Sequence, residues 1–328
     1  MAVGLGVIGV GWWGRTLANA VNATGEARVV AGYSRSPDAR DAFAAEFGCA
    51  APGSLDELLA DDDVEGVLIA TSHSSHRPLV EAAAAAGKAI FVEKPLTLHL
   101  DDARAAVAAA EQAGVPLQVG HQRRRMPGNR AIKRMIDAGD LGTIQAAESH
   151  QSVPNALSHA PDAWRRDREE SPLGGMTSLG VHKIDTLHYL VGPMKRVFTM
   201  SKNTMTDPEI DEATVVAIEF ENGAVGTLVT SFVIPVNSCL SIYGIGGSAH
   251  TEMDAKQLFT QSPETGPQRT EVPLGQVDPI HDQLVEFAAV VRREKPPEVG
   301  GREGMAVVSV LEAMVRSSES NLPVDVSY

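Results

Sequence analysis

The chain has 328 residues, a formal net charge of −14, 43% hydrophobic and 21% charged residues. That size supports one or two domains with sizeable cores, and no apolar run approaches the roughly 20 residues that span a bilayer. The acidic balance argues against nucleic acid as a partner, since phosphate contacts need clustered Lys and Arg.

The N-terminal "MAVGLGVIGV" enters a strand at once, without a basic region or a cleavage site, so a secretory signal is not expected and a cytoplasmic location is. Cys49 and Cys239 stand far apart in apolar segments and read as buried thiols of a reducing compartment, not as a disulfide or metal framework. Residues 3–10, 27–33, 64–70, 89–92 and 115–120 have strand composition, and a further short strand is expected near Cys49. Helical patterns fill 12–23, 37–48, 54–60, 77–88 and 101–114. Ser54 and Glu57 stand at capping-box spacing. This βαβ rhythm predicts an α/β domain over 1–122 with a doubly wound, mostly parallel sheet.

The rhythm then changes. A helix is expected over 128–138, a strand over 143–153, a loop around Trp164 and a glycine-rich helical stretch over 174–192. Strand-like segments follow one another from 195 to 247, two of them joined by Asn222-Gly223, a strong hairpin signal. Two helical patterns close the chain. The expectation is a second, α+β domain over 123–328 with a large, mainly antiparallel open sheet, its last helices able to pack back on the first domain.

Four stretches carry chemistry. "GVGWWG" places Gly9, Gly11 and Gly14 between a strand and a helix. In that context the glycines allow a tight turn, close approach of a pyrophosphate and close helix–strand packing, and the helix start offers N–H donors. Trp12 and Trp13 either wall a cofactor or cover the sheet edge. About 20 residues on, the second strand ends in Tyr33-Ser34-Arg35-Ser36, with no acid before Asp38. Hydroxyls and a guanidinium suit a ribose 2′-phosphate, which favours NADP(H) over NAD(H); if Arg35 only stacks on adenine, either cofactor is allowed. "IATSHSSH" brings Thr71, His73 and His76 to the carboxyl end of the expected fourth strand, where such sheets bind ligands. The expected fifth strand ends in Glu93-Lys94-Pro95, where Pro95 restricts Lys94 to an extended conformation. Lys94 is either a solvent-facing turn residue or a mounted catalytic cation. The basic stretch 121–134 reads as a helix start with solvated arginines or as an anion-facing patch.

Together with "AWRRD" (163–167) and "GGMTSLGVHKID" (174–185), these motifs resemble the Gfo/Idh/MocA oxidoreductases over nearly the whole chain. The resemblance implies a Rossmann domain, a C-terminal sheet used for homodimer or homotetramer assembly, and hydride exchange with a sugar, cyclitol or related polyol. It implies that Glu93, Lys94 and Pro95 border the cofactor and that Lys94 and His182 are catalytic, with Asp185 binding a substrate hydroxyl. A free lysine is a poor base at neutral pH, so burial or a nearby cation would have to lower its pKa towards 7–8, with His182 as relay to solvent. Trp164, Arg165, Ser178 and Arg123 join the substrate-binding candidates. Ser178, His182 and Asp185 stand at i, i+4 and i+7, one face of a regular helix; the alternative is a structural histidine bonded to Asp185. Relatives commonly carry an aspartate where this chain has Ser178. No catalytic zinc spacing such as H-E-x-x-H occurs, and no metal is expected. Two other functions suit the same fold: a cofactor-binding regulator, and a glycosidase that oxidises its substrate transiently with tightly held cofactor.

Overall fold

The computed structural model describes residues 2–157, 163–205 and 210–328. They form two compact units. The first takes the chain up to Gln122 together with Asp278–Met305, and the second takes Arg123–Val277 and Ala306–Tyr328. The expected second domain over 123–328 is thus interrupted by a segment that belongs to the first.

In the first unit β1 (Val3–Ile8), α1 (Trp12–Thr24), β2 (Ala27–Tyr33), α2 (Pro37–Phe47), α3 (Leu55–Ala60), β3 (Gly66–Ile69), α4 (His76–Ala85), β4 (Ala89–Val92), α5 (Leu100–Ala113) and β5 (Leu117–Val119) follow in order. The five strands form one sheet in the order β2-β1-β3-β4-β5, every neighbouring pair parallel. β1, β3 and β4 are buried at every residue, as strands covered on both faces must be. The strand expected near Cys49 is reduced to a single bridge between Ala31 and Ala50. Pro52 follows two residues later and has no N–H for a ladder. "IATSHSSH" therefore follows the third strand and "EKP" the fourth, one fewer than the sequence suggests.

The second unit contains α6 (Pro127–Ala138), β6 (Ile144–Ser152), α7 (Val181–Leu190), β7 (Met194–Lys202), β8 (Ala213–Phe220), β9 (Val225–Ser231), β10 (Asn237–Gly244), β11 (Gly247–Glu252), β12 (Gln257–Gln261) and β13 (Thr270–Glu271). The chain then runs through α8 (Pro279–Val291), α9 (Gly301–Ser320) and β14 (Val324–Asp325). The nine strands form one sheet, β13-β12-β11-β10-β6-β9-β8-β7-β14. All pairs are antiparallel except β6 with β9. The Asn222-Gly223 turn joins β8 to β9 as its sequence predicts. One sheet face is packed: Ile184, Leu187 and Leu190 of α7 share a core with Val310, Leu311 and Met314 of α9 and with Val216, Leu228 and Leu240 from the strands. The other face leaves Val215 and Val225 exposed.

α8 belongs to the first unit for a packing reason. Leu284, Phe287, Ala288 and Val290 join the core formed by Leu5, Val7, Leu17 and Phe91, and the rings of Phe91 and Phe287 meet edge to face at 5.6 Å. Leu284, Phe287 and Val290 each stabilise by about 1.5–3 kcal/mol through burial. Among the described residues, no helix is long and apolar enough to cross a membrane.

Candidate active site

The turn from β1 to α1 is built around two glycines that nothing larger could replace. Gly9 has φ +95°, and a Cβ there would stand 2.5 Å from the Ala70 carbonyl oxygen. A Cβ on Gly14 would stand 2.0 Å from the carbonyl oxygen of Gly9, so the helix could not pack this close to the strand. Around Gly11 there is open space, and the first turn of α1 carries no acidic residue. Free amides, a positive dipole end and room for an approaching anion make a phosphate cradle, which fits a dinucleotide. The two tryptophans divide. Trp12 is 76% exposed, whereas Trp13 is half-buried against the core, its indole nitrogen beside the Glu93 carboxyl without a well-aligned hydrogen bond.

At the end of β2, Ser34 is half-buried and Arg35 exposed. The Ser36 hydroxyl caps α2 by accepting from the Ala39 N–H at 3.4 Å, and its own N–H donates to Ser34 Oγ at 3.3 Å. Ser36 is thus engaged in shaping the turn. A residue that sequence reading passed over stands here too: Arg40 reaches back from α2 to the carbonyl oxygens of Ser34 and Gly53, at 3.4 and 3.3 Å. Its offset of six residues from Ser34 signals nothing by itself.

At the ends of β3 and β4 the candidate residues form one hydrogen-bonded group. His76 is fully buried. Its Nδ1 lies 2.9 Å from the Pro95 carbonyl oxygen and its Nε2 3.4 Å from that of Thr71, so the ring ties the Glu93-Lys94-Pro95 turn to the Thr71 loop. The Thr71 hydroxyl accepts from Ser75 Oγ at 2.7 Å, and the ring of buried His73 sits 5.8 Å from that of His76. The Lys94–Pro95 peptide is cis, and Lys94 is half-buried. Glu93 is 5% exposed and accepts from the Lys94 N–H at 3.3 Å. Burial pushes its carboxyl up, against the opposing pull of the Lys94 charge.

The second unit assembles its own polar group. Arg124 and Asp185 are both buried and meet through three hydrogen bonds of 2.7–3.0 Å, a fork on a carboxylate. Arg123 forms an ion pair with Asp254. The basic stretch is therefore largely folded inward: Arg124 and Arg125 are buried, not solvated. Met176–Gly180 is a π-helical turn leading into α7. The i→i+5 pattern of that turn displaces Ser178 from the regular α spacing with His182 and Asp185 that the sequence predicts. His182 is 4% exposed. Trp164 opens a short 3₁₀ turn with the Arg165 guanidinium 4.2 Å above its ring. His188 meets the Tyr328 hydroxyl at 3.2 Å, and no metal-holding group of His, Cys, Asp or Glu occurs among the described residues.

Beside His182 stands a residue the sequence did not single out. Lys183 is 5% exposed, and burial, then the nearby Arg123 charge, lower its pKa to about 7. An unfolded lysine titrates near 10.4. Between those values the unfolded chain binds a proton that the folded chain does not, so this residue makes stability rise with pH from about 7 to about 10. Below about pH 7 both forms are charged and the contribution is flat. Urea denaturation at pH values of about 7, 8.5 and 10 should show wild type gaining on Lys183→Met as pH rises; parallel curves would contradict the shift.

A parallel sheet with a glycine-turn phosphate cradle, and a lysine mounted at a neighbouring strand end, defines a dinucleotide-binding oxidoreductase. Residues 3–121 match the oxidoreductase family with NAD-binding Rossmann fold, and residues 129–250 match the GFO/IDH/MocA C-terminal domain. The chain belongs to the Gfo/Idh/MocA oxidoreductase family. It is 28% identical to 1,5-anhydro-D-fructose reductase of Ensifer adhaerens over 91% of each chain. With inositol 2-dehydrogenase of Rhizobium meliloti it shares 27% identity over 97% of each. A solved structure from Desulfitobacterium hafniense, provisionally described as an NADPH-dependent oxidoreductase, superposes with a TM-score of 0.95 at 30% identity, covering 99% of this chain and 98% of that one.

Proposed function

We propose that the chain is an NADP(H)-preferring dehydrogenase or reductase acting on a CH–OH group of a sugar, cyclitol or related polyol. The observation that carries this reading is the turn after β4, where His76 anchors the Pro95 carbonyl and fixes the backbone that presents Lys94. Its relatives' names point the same way, to an anhydro-sugar and to inositol.

Gly9, Gly11 and Gly14, the start of α1, and the Thr71, His73 and Glu93–Pro95 region would hold the dinucleotide. Bound nicotinamide supplies the hydride chemistry. The chain's own residues place the substrate and handle the proton. Lys94 takes the hydroxyl proton in oxidation, or gives it to the carbonyl oxygen in reduction, and His182 passes it to solvent. Trp164, Arg165, Ser178 and Arg123 line the substrate side. Asp185 orients that side through Arg124 and keeps lone pairs for a hydroxyl. The test is a panel of sugars, cyclitols and 2-hydroxy compounds followed at the reduced-nicotinamide absorbance band. Turnover with at least one member is expected; none across the panel would count against the reading.

The cofactor preference rests on Ser34 and Arg35, with Arg40 as a second guanidinium at the same rim. Arg35→Ala should weaken NADP(H) by about 1.5–3 kcal/mol, the scale of a hydrogen bond to a charged group, and leave NAD(H) nearly unchanged. Calorimetric titration with both cofactors reads this, and equal losses for the two would contradict it. Assembly as a homodimer or homotetramer follows the same reading, through the open sheet face that carries Val215 and Val225.

A further inference from the structure

The second unit brings two cations, Lys183 and Arg123, near one carboxylate, Asp254. Lys183 donates to Ser238 Oγ at 3.2 Å and reaches the Cys239 carbonyl oxygen at 3.5 Å. Both partners are neutral, and among the described residues no carboxylate comes within ion-pair reach of Lys183. Arg123 is the second cation, and it shares Asp254 with the Ser238 hydroxyl, which donates to Asp254 Oδ1 at 2.9 Å. Arg124 and Asp185 cancel each other. With Lys183 protonated, two cations therefore face one carboxylate, an excess of one positive charge. A buried charge with no counter-charge is costly, and a fold retains one most readily where a ligand supplies the missing sign.

The sheet beneath repeats the theme. Ser238, Gln151, Thr230 and Thr214 stand in register across β10, β6, β9 and β8. Gln151 and Thr230 are 4% and 0% exposed, yet the Gln151 amide oxygen and Thr230 Oγ1 have no hydrogen-bond partner. Buried polar atoms are rarely left so. Hydroxyl groups of a polyol are the complement of such a row, and one negative charge is the complement of the cations beside it.

We propose that Lys183, with Arg123, binds the carboxylate of an acidic sugar or cyclitol derivative whose hydroxyls meet Gln151 and Thr230. The proposal rests on the polyol reading above and narrows it to monoanionic substrates. A phosphate monoester brings up to two charges at neutral pH and matches the single excess charge less well.

The affinity should depend on pH. Free of ligand, the Lys183 amine titrates at about 7; a bound carboxylate holds the proton on. Binding is therefore strongest below about pH 7 and weakens as pH rises, because a proton must then be taken up. Other groups face this amine: the Cys239 thiol, which raises its pKa, Arg123, which lowers it, and His150, whose own pKa is lowered by burial and by Lys183.

Calorimetric titration of the full chain, with NADP⁺ in excess, separates this proposal from the hydride-transfer reading, because it needs no turnover. The ligands are D-glucuronate, D-galacturonate and D-gluconate against D-glucose and D-galactose, with D-glucose 6-phosphate as the phosphate arm. At a pH of about 6.5 at least one acid should bind about tenfold more tightly than its neutral counterpart, and about two pH units higher most of that preference should be lost. Lys183→Met should remove the preference and leave neutral sugars within about twofold. Lys183→Arg should keep the preference but lose its pH dependence, since an arginine does not titrate in this range. Equal binding of acid and neutral sugar, a preference that survives in Lys183→Met, tighter binding of the phosphate, or no saturable binding of any acid would each overturn the proposal.

Discussion

Lys94→Met should lower turnover by roughly 10²–10⁴, the usual share of general acid–base catalysis, while NADP(H) affinity stays near that of wild type. Methionine keeps the unbranched stem and removes the proton carrier. The glycine turn and the first amides of α1 are untouched, because they depend on Gly9 and Gly14 packing against Ala70 and each other. The Pro95 carbonyl keeps its contact with His76 at 2.9 Å, so the pedestal stays in place. Steady-state kinetics with one substrate from the panel, alongside cofactor titration, makes the comparison. Near-normal turnover would remove Lys94 from the proton path; a parallel collapse of cofactor affinity would show that its role is binding.

Asp185→Ala should destabilise the folded chain by about 3–5 kcal/mol, because it strands the Arg124 guanidinium as an uncompensated charge in a buried site. Both side chains are inside, Asp185 fully so. The double variant Asp185→Leu with Arg124→Leu should recover much of that loss, since replacing a buried pair with apolar residues is often close to neutral. Urea denaturation of the three proteins checks this. If Asp185→Ala loses less than about 0.5 kcal/mol, the range of an ordinary surface substitution, the pair does not hold the fold together.

Much of the first unit was legible because its signals are local. The strand Ala27–Tyr33 ends where its apolar run ends, and α2 begins at a Ser-Pro pair that caps and opens a helix. The doubly wound parallel sheet followed from strand–helix alternation, and the Rossmann reading from the glycine turn and the family resemblance. The missing strand near Cys49 shows the limit: "CAAPG" is apolar enough to pair, but Pro52 leaves room for one bridge. In the second unit, the successive strands announced a sheet but not its order. The parallel pairing of β6 with β9 joins residues about 80 apart, and no pattern within either strand records its partner.

The site was legible in the same measure. "EKP" and the glycine turn are contiguous motifs, and the sequence located them. Lys183 was not, because α7 is buried at eight of its ten positions, so no polar stripe marks one lysine as inside and another as outside. In sequence Arg124 is one cation of a basic stretch, and only the tertiary fold sets its guanidinium on Asp185. The π turn at Met176–Gly180 was hidden for another reason: glycine-rich sequence permits several turn geometries, and spacing arguments assume the regular one.

The most direct test of hydride exchange with a polyol uses a panel substrate deuterated at its reacting carbon, incubated with wild type and NADP⁺. Mass spectrometry of the recovered nicotinamide should show one deuterium per reduced molecule, in stoichiometry with the carbonyl product, and Lys94→Met should slow its appearance by the same factor as turnover. Consumption of the substrate with unlabelled, oxidised cofactor recovered at the end would contradict net hydride transfer and point to transient oxidation on retained cofactor.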